Sequence, residues 1–178
     1  MTKAEIISLL SENHQQFIRQ FESLNEYEFL SSVNNKWNAS QQLDHLIRSV
    51  QPVVLAFTLP SFALKLFFGK ANRSSRSYAE LVEKYKNKLS DGGRANGRFV
   101  PAGLSYSQKN SSVKKFRELT ASLTKKLDKK SEEELDVFIL PHPLLGKITL
   151  REMLYFTAYH AEHHKNQVIK NLETLTQA

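Results

Sequence analysis

The chain has 178 residues, 40% of them hydrophobic and 24% charged, which suits one globular domain and excludes both two full domains and wholesale disorder. It has no cysteine, so a disulfide scaffold, a thiolate zinc site, an iron–sulfur cluster and a cysteine nucleophile are all excluded. The net charge of +7 is concentrated in residues 65–130, which carry 17 Lys and Arg against 5 Asp and Glu; such a segment suits nucleic acid, an anionic substrate, a phosphorylated cofactor, or simply a solvated surface.

In chain order, Ile6, Leu9, Leu10, Phe17, Phe21 and Leu24 recur at helical spacings and predict a first helix over about 3–24. Thr2 with Glu5 three residues on forms a capping box at its start. The early acidic residues Glu5 and Glu12 fall where a signal peptide needs an uncharged apolar run. Absence of cysteine fits a reducing compartment, and the expected location is cytoplasmic.

Asn38 with Gln41 caps a second helix whose apolar stripe is Leu43, Leu46, Ile47, Val50, Val54 and Phe57. Pro52 should kink that helix or end it early, because proline lacks the amide hydrogen and crowds the preceding turn. Pro60 then separates a short apolar piece, 61–68. The stretch Val53–Phe68 is broken by Pro60 and Lys65, and a spanning helix needs about 20 largely apolar residues, so no membrane span is expected.

Residues 78–89 form a modest amphipathic helix. Residues 90–107 hold four of the six glycines and are loop, long enough to be functional. Helical spacing resumes over 108–128, Ser131 with Glu134 marks a short capped turn, and Pro141-His142-Pro143 forces extended backbone. Thr149 and Glu152 open the last helix, which runs without Gly or Pro to about Leu175. No strand-like alternation of any length is visible. Residues 1–178 therefore read as a single all-α helical bundle, with an extra short helix and a long glycine-containing loop.

Three of the six histidines crowd into Tyr159-His160-Ala161-Glu162-His163-His164. His160 and His164 are four residues apart, one turn above the other, a spacing at which two imidazoles can share a metal ion. Both lie within roughly 70° of the core stripe set by Leu150, Met153, Leu154, Thr157, Ala161 and Val168; His163 falls further round and Glu162 faces solvent. The zincin arrangement is excluded, since Ala161 stands where the general-base glutamate belongs. Burying two unpartnered imidazoles costs about 1–3 kcal/mol each, and a shared cation removes that cost; spacing alone leaves a metal pair and a hydrogen-bonded core pair both open. A third ligand must come from another helix. His45 is the candidate, yet it lies about 140° from the centre of its own helix's stripe, so periodicity does not select it.

The block Trp37-Asn38-Ala39-Ser40-Gln41-Gln42-Leu43-Asp44-His45-Leu46 resembles the W-[ST]-x-x-[EQ]-x-L-x-H-L signature of the DinB-like superfamily. The final block, with His142-Pro143, Gly146, Leu150-Arg151-Glu152, Tyr159-His160 and His164-Lys165-Asn166-Gln167, is similar to that family's last helix and its H-x-x-x-H-x-x-Q pattern. Asn38 replaces the usual Ser or Thr, and Lys165-Asn166 the usual Arg-Gly. The resemblance implies a four-helix bundle of up-down-down-up type, often homodimeric, with a divalent metal on three histidines. By it, the ligands are His45, His160 and His164, and Gln167 matches the family glutamine as a substrate-side residue. It also implies a metal-dependent hydrolase or thiol S-transferase, with zinc or nickel activating water or a low-molecular-weight thiol. The alternative is a non-catalytic, stress-associated ligand-binding bundle. Arg48, one turn after His45, is a candidate for an anionic substrate group or an ordinary surface arginine. The basic middle lacks the aromatic interleaving of a nucleic-acid platform, so a small molecule is the expected partner.

Overall fold

The computed structural model describes residues 1–176. Five helices, and the last helix with them, begin on the same device, a reciprocal capping box in which a side chain accepts an orphan amide and a glutamate or glutamine returns the favour. The five are α1 (Lys3–Ser23, box Thr2/Glu5), α2 (Glu26–Leu30, Asn25/Glu28), α3 (Ala39–Ala56, Asn38/Gln41), α5 (Tyr78–Ser90, Ser77/Glu80) and α7 (Glu132–Val137, Ser131/Glu134). Between them lie α4 (Ser61–Phe68), which follows Pro60, and α6 (Lys109–Asp128). The last helix, α8 (Leu150–Thr176), opens on Thr149, whose hydroxyl accepts the Glu152 amide while the Glu152 carboxylate accepts the Thr149 amide.

Four long helices make the bundle. α1 packs on α6 and α8, and α3 packs on the same two, so α1 and α3 stand diagonally. The interior divides into two clusters. One gathers Ile6, Leu10, Leu123, Leu154 and Tyr155; the other gathers Phe17, Phe21, Leu43, Phe116 and Val168. Phe17 and Phe21 stack at 4.1 Å, and Phe116 leans on Phe17 at 5.2 Å. Along α8, Ala158 belongs to the first cluster and Ala161 to the second. His160 lies between them, at the seam.

The structure departs from the sequence reading in two elements: the short helix α2 forms where no helix is predicted, and a hairpin precedes α8. Residues 139–149 form an antiparallel hairpin, β1 (Ile139–His142) with β2 (Gly146–Thr149), in register Ile139 to Thr149 and His142 to Gly146. Four-residue strands are too short for alternation to register as a pattern. The extended backbone foreseen at Pro141-His142-Pro143 is the first arm of this hairpin. Gly146, with φ +75°, sits in the left-handed region that the turn requires and that glycine adopts freely.

Pro52 lies inside α3, which continues to Ala56 before ending at Phe57. Residues 91–108 are loop apart from two short 3-10 turns, Gly97–Phe99 and Tyr106–Gln108. The loop is strapped to the start of α3: the Ala102 amide donates to Asp44 and the Leu104 amide to Ser40 Oγ. Gly103 (φ +86°) permits that approach, since a Cβ there would stand 3.3 Å from Ser40 Oγ. No single helix among the described residues is long and apolar enough to cross a membrane.

Candidate metal centre

The first half of α3 is buried almost all round, with Gln42, Leu43, Asp44, His45, Leu46 and Ile47 all enclosed. One side carries the apolar stripe. The other faces α8 and the 91–108 loop, and there His45, only 6% exposed, meets His160 and His164. This explains why the helical wheel misplaces it: α3 buries a second, polar face that a single-stripe projection assigns to solvent.

Three Nε2 atoms converge. His45 Nε2 is 3.2 Å from His160 Nε2, which is 2.8 Å from His164 Nε2. Proton accounting shows what this cluster lacks. His45 Nδ1 donates to the Phe99 carbonyl at 2.7 Å. His164 Nδ1 donates to Gln42 Oε1, and the Gln42 amide nitrogen is turned the other way, toward the Trp37 carbonyl at 3.3 Å. A neutral imidazole carries one N–H, so His45 and His164 both present bare lone pairs at Nε2. His160 can satisfy at most one of them. The result is a buried set of nitrogen lone pairs aimed at one point, which is costly without a cation and matches a trio of neutral imidazole ligands with further positions left open.

Electrostatics agree. Burial pushes His160 and His164 well below the ordinary histidine range, with neighbouring imidazoles adding to the effect. Burial also lowers His45, partly offset by the Phe99 carbonyl and Asp44. All three are therefore neutral, as metal ligands must be. The other histidines lie outside the trio. His163 is half-buried beside His164, at 5.1 Å between ring centres. His14 sits in the core edge-on to Phe116, where burial pushes it down to about 4.

The trio opens onto a cavity of about 780 Å³. One wall is apolar, with Pro52, Val53, Leu140, Leu144, Met153 and Phe156. Lys36, Arg94 and Arg98 bring positive charge to the lining, and no Asp or Glu lines it among the described residues. Gln167 lines this cavity. Arg48 does not: its guanidinium binds Asp44 Oδ1 at 2.8 Å, one turn away, and reaches the Arg98 carbonyl at 3.4 Å. The sequence reading left Arg48 between an anionic substrate group and an ordinary surface arginine; here it pairs with Asp44, which is buried beside it and needs a counter-charge.

Gln42 and the Phe99 carbonyl are the partners that periodicity could not supply, since one is a polar residue and the other a backbone atom on a distant loop. They fix the tautomers that aim Nε2 at the site. Replacing Gln42 by Leu should lower divalent-metal affinity about tenfold to a hundredfold with the circular dichroism spectrum unchanged; isothermal titration with zinc measures it.

The family model described as the DinB superfamily matches residues 9–168. Among solved structures, YfiT from Bacillus subtilis, a probable metal-dependent hydrolase with an unusual four-helix bundle topology, superposes with a TM-score of 0.64 at 18% identity, covering 98% of this chain and 87% of that one. At that identity the likeness shows the fold. No curated protein matches the chain.

Proposed function

The chain belongs to the DinB superfamily, and from that premise we propose that it is a metal-dependent enzyme whose divalent ion rests on His45, His160 and His164. The observation that carries this reading is the proton deficit of the trio: two Nδ1 protons are committed to Phe99 and Gln42, leaving converging Nε2 lone pairs. Imidazole donors suit zinc or nickel among the common ions. When bound, such an ion supplies Lewis acidity that lowers the pKa of a water or thiol and so provides a nucleophile at neutral pH.

Of the two nucleophiles, a low-molecular-weight thiol is favoured. Water activation relies on a positioned base to take the proton, and the cavity offers no carboxylate among the described residues. A free thiol ionises at about pH 8.5, close enough to neutrality that a nearby cation suffices. The apolar wall accommodates the body of the electrophile, and Lys36, Arg94 and Arg98 favour an anionic group on one of the reactants. The reaction class is then thiol S-transfer to an electrophilic small molecule.

The test uses untagged protein, a panel of low-molecular-weight thiols and a chromogenic aryl halide, with and without chelator. Thiol consumption that requires zinc or nickel and stops on chelation is the expected result. No turnover with any thiol, in protein whose stability ignores chelator, would instead leave a non-catalytic binding bundle.

A further inference from the structure

Two hydrogen-bond donors on the cavity wall have no acceptor among the described residues. His142 stands at the end of β1, where its Nδ1 accepts the amides of Leu144 and Leu145, both at 3.1 Å. Nδ1 is therefore the lone-pair nitrogen and Nε2 carries the proton. That Nε2–H meets no acceptor among the described residues, and it is not sealed in, because the enclosed side-chain atom without a partner is His14 Nε2. It opens to the cavity that His142 lines.

Tyr85, on α5, repeats the pattern. It is 5% exposed and lines the same cavity. Its hydroxyl has no partner among the described residues and is likewise not enclosed. Both rings pack edge-on against Phe156, His142 at 4.2 Å and Tyr85 at 5.1 Å between centres, and Phe156 lies 4.6 Å from His160. Phe156 thus stands between His142 and the histidine trio, while Tyr85 also packs edge-on against His160 itself, at 6.1 Å between centres. Both donors reach the solvent of the cavity, so an acceptor that enters it can take both hydrogen bonds in place of water.

We propose that Tyr85 and His142 form a hydrogen-bonding subsite for the oxygen of a carbonyl-type electrophile, which rests on the reading above that the trio holds the ion and delivers the nucleophile. The donors are neutral. A phenol ordinarily holds its proton at neutral pH, and a His142 ring whose Nδ1 accepts two backbone amides carries a single N–H. Neutral donors complement an uncharged oxygen that gains negative charge during reaction, whereas a phosphate calls for cations. In the step, the thiol loses its proton to solvent and the thiolate's electron pair forms the bond to the carbonyl carbon. The C=O π pair moves onto oxygen and that oxygen then takes a proton from solvent, so S–H adds across C=O and no leaving group departs. The two hydrogen bonds strengthen at that oxygen, and neither donor gives up its proton.

The probe is acetophenone labelled with carbon-13 at its carbonyl, titrated into metal-free and zinc-loaded protein. Its carbonyl resonance should move downfield on binding. Tyr85→Phe and His142→Asn should each weaken binding about fivefold to tenfold, as expected for one neutral hydrogen bond, and each should shrink the downfield shift. Nitrogen-15 spectra of the unaltered protein should show His142 protonated at Nε2. Both variants should keep the zinc stoichiometry, so failure of the subsite leaves the trio standing. Failure of zinc loading beside an intact carbonyl shift sinks only the metal reading. The proposal is overturned if acetophenone does not bind, if the shift is the same in Tyr85→Phe as in the unaltered protein, or if His142 carries its proton on Nδ1.

Discussion

His164→Ala should take the protein from one bound divalent ion per chain to none, and His160→Ala should do the same. Each change removes one of three converging ligands from a site that has no carboxylate among the described residues to replace it. Alanine is the best helix former, and both positions lie in the interior of the 27-residue α8, so helicity should persist. A second readout follows from linkage. Zinc at a hundredfold excess over its dissociation constant should stabilise the unaltered protein by about 2.7 kcal/mol and leave the variants' melting temperature where it was. Elemental analysis showing unchanged metal in both variants would remove the trio as the binding site.

Arg73→Ala should destabilise the fold by about 1.5–3 kcal/mol at neutral pH, the range for losing hydrogen bonds to a charged group. The Glu152 side chain is 0% exposed, and Arg73 grips it with two bonds of 2.7 and 2.8 Å. Arg76 and the Thr149 amide remain as partners after the change, which keeps the loss from being larger. The same carboxylate sets an acid dependence. Burial alone would raise its pKa, but the Arg73 bonds and the Arg76 and Thr149 amides outweigh burial and hold it below the ordinary glutamate value. Its contribution is therefore present above the unfolded value of about 4.3 and is lost as pH falls through the lower folded value. Urea midpoints should show Arg73→Ala losing most against the unaltered protein at pH 7, with the gap narrowing in acid. A midpoint difference that is constant from pH 7 to pH 3 would contradict this assignment. Because Glu152 also caps α8, the pair anchors the start of the helix that carries His160 and His164.

Four helix starts were legible from a hydroxyl or amide side chain three residues before a glutamate or glutamine, Thr2/Glu5, Asn38/Gln41, Ser131/Glu134 and Thr149/Glu152, and all four form their boxes, whereas the same signal at Asn25/Glu28 went unread. Those contacts are local, so sequence carries them. His160 and His164 were legible for the same reason, being one turn apart on one stripe. What escaped is non-local. His45 is buried because a loop more than 50 residues away covers the second face of α3, with the Phe99 carbonyl seated on its ring. Gln42, Tyr85 and His142 acquire their meaning only from the cavity that three separate elements enclose, and the hairpin at 139–149 depends on pairing rather than pattern. Of the two readings the sequence leaves open for Arg48, its ion pair with Asp44 one turn earlier is a local contact, whereas the burial of Asp44 comes from the distant loop.

The most direct test is diffraction from crystals of the zinc-loaded protein, recorded on both sides of the metal absorption edge. An anomalous peak about 2.0–2.1 Å from the Nε2 atoms of His45, His160 and His164 is the predicted result. A peak bound elsewhere, or a His45 ring turned away from the other two, would contradict the proposed centre.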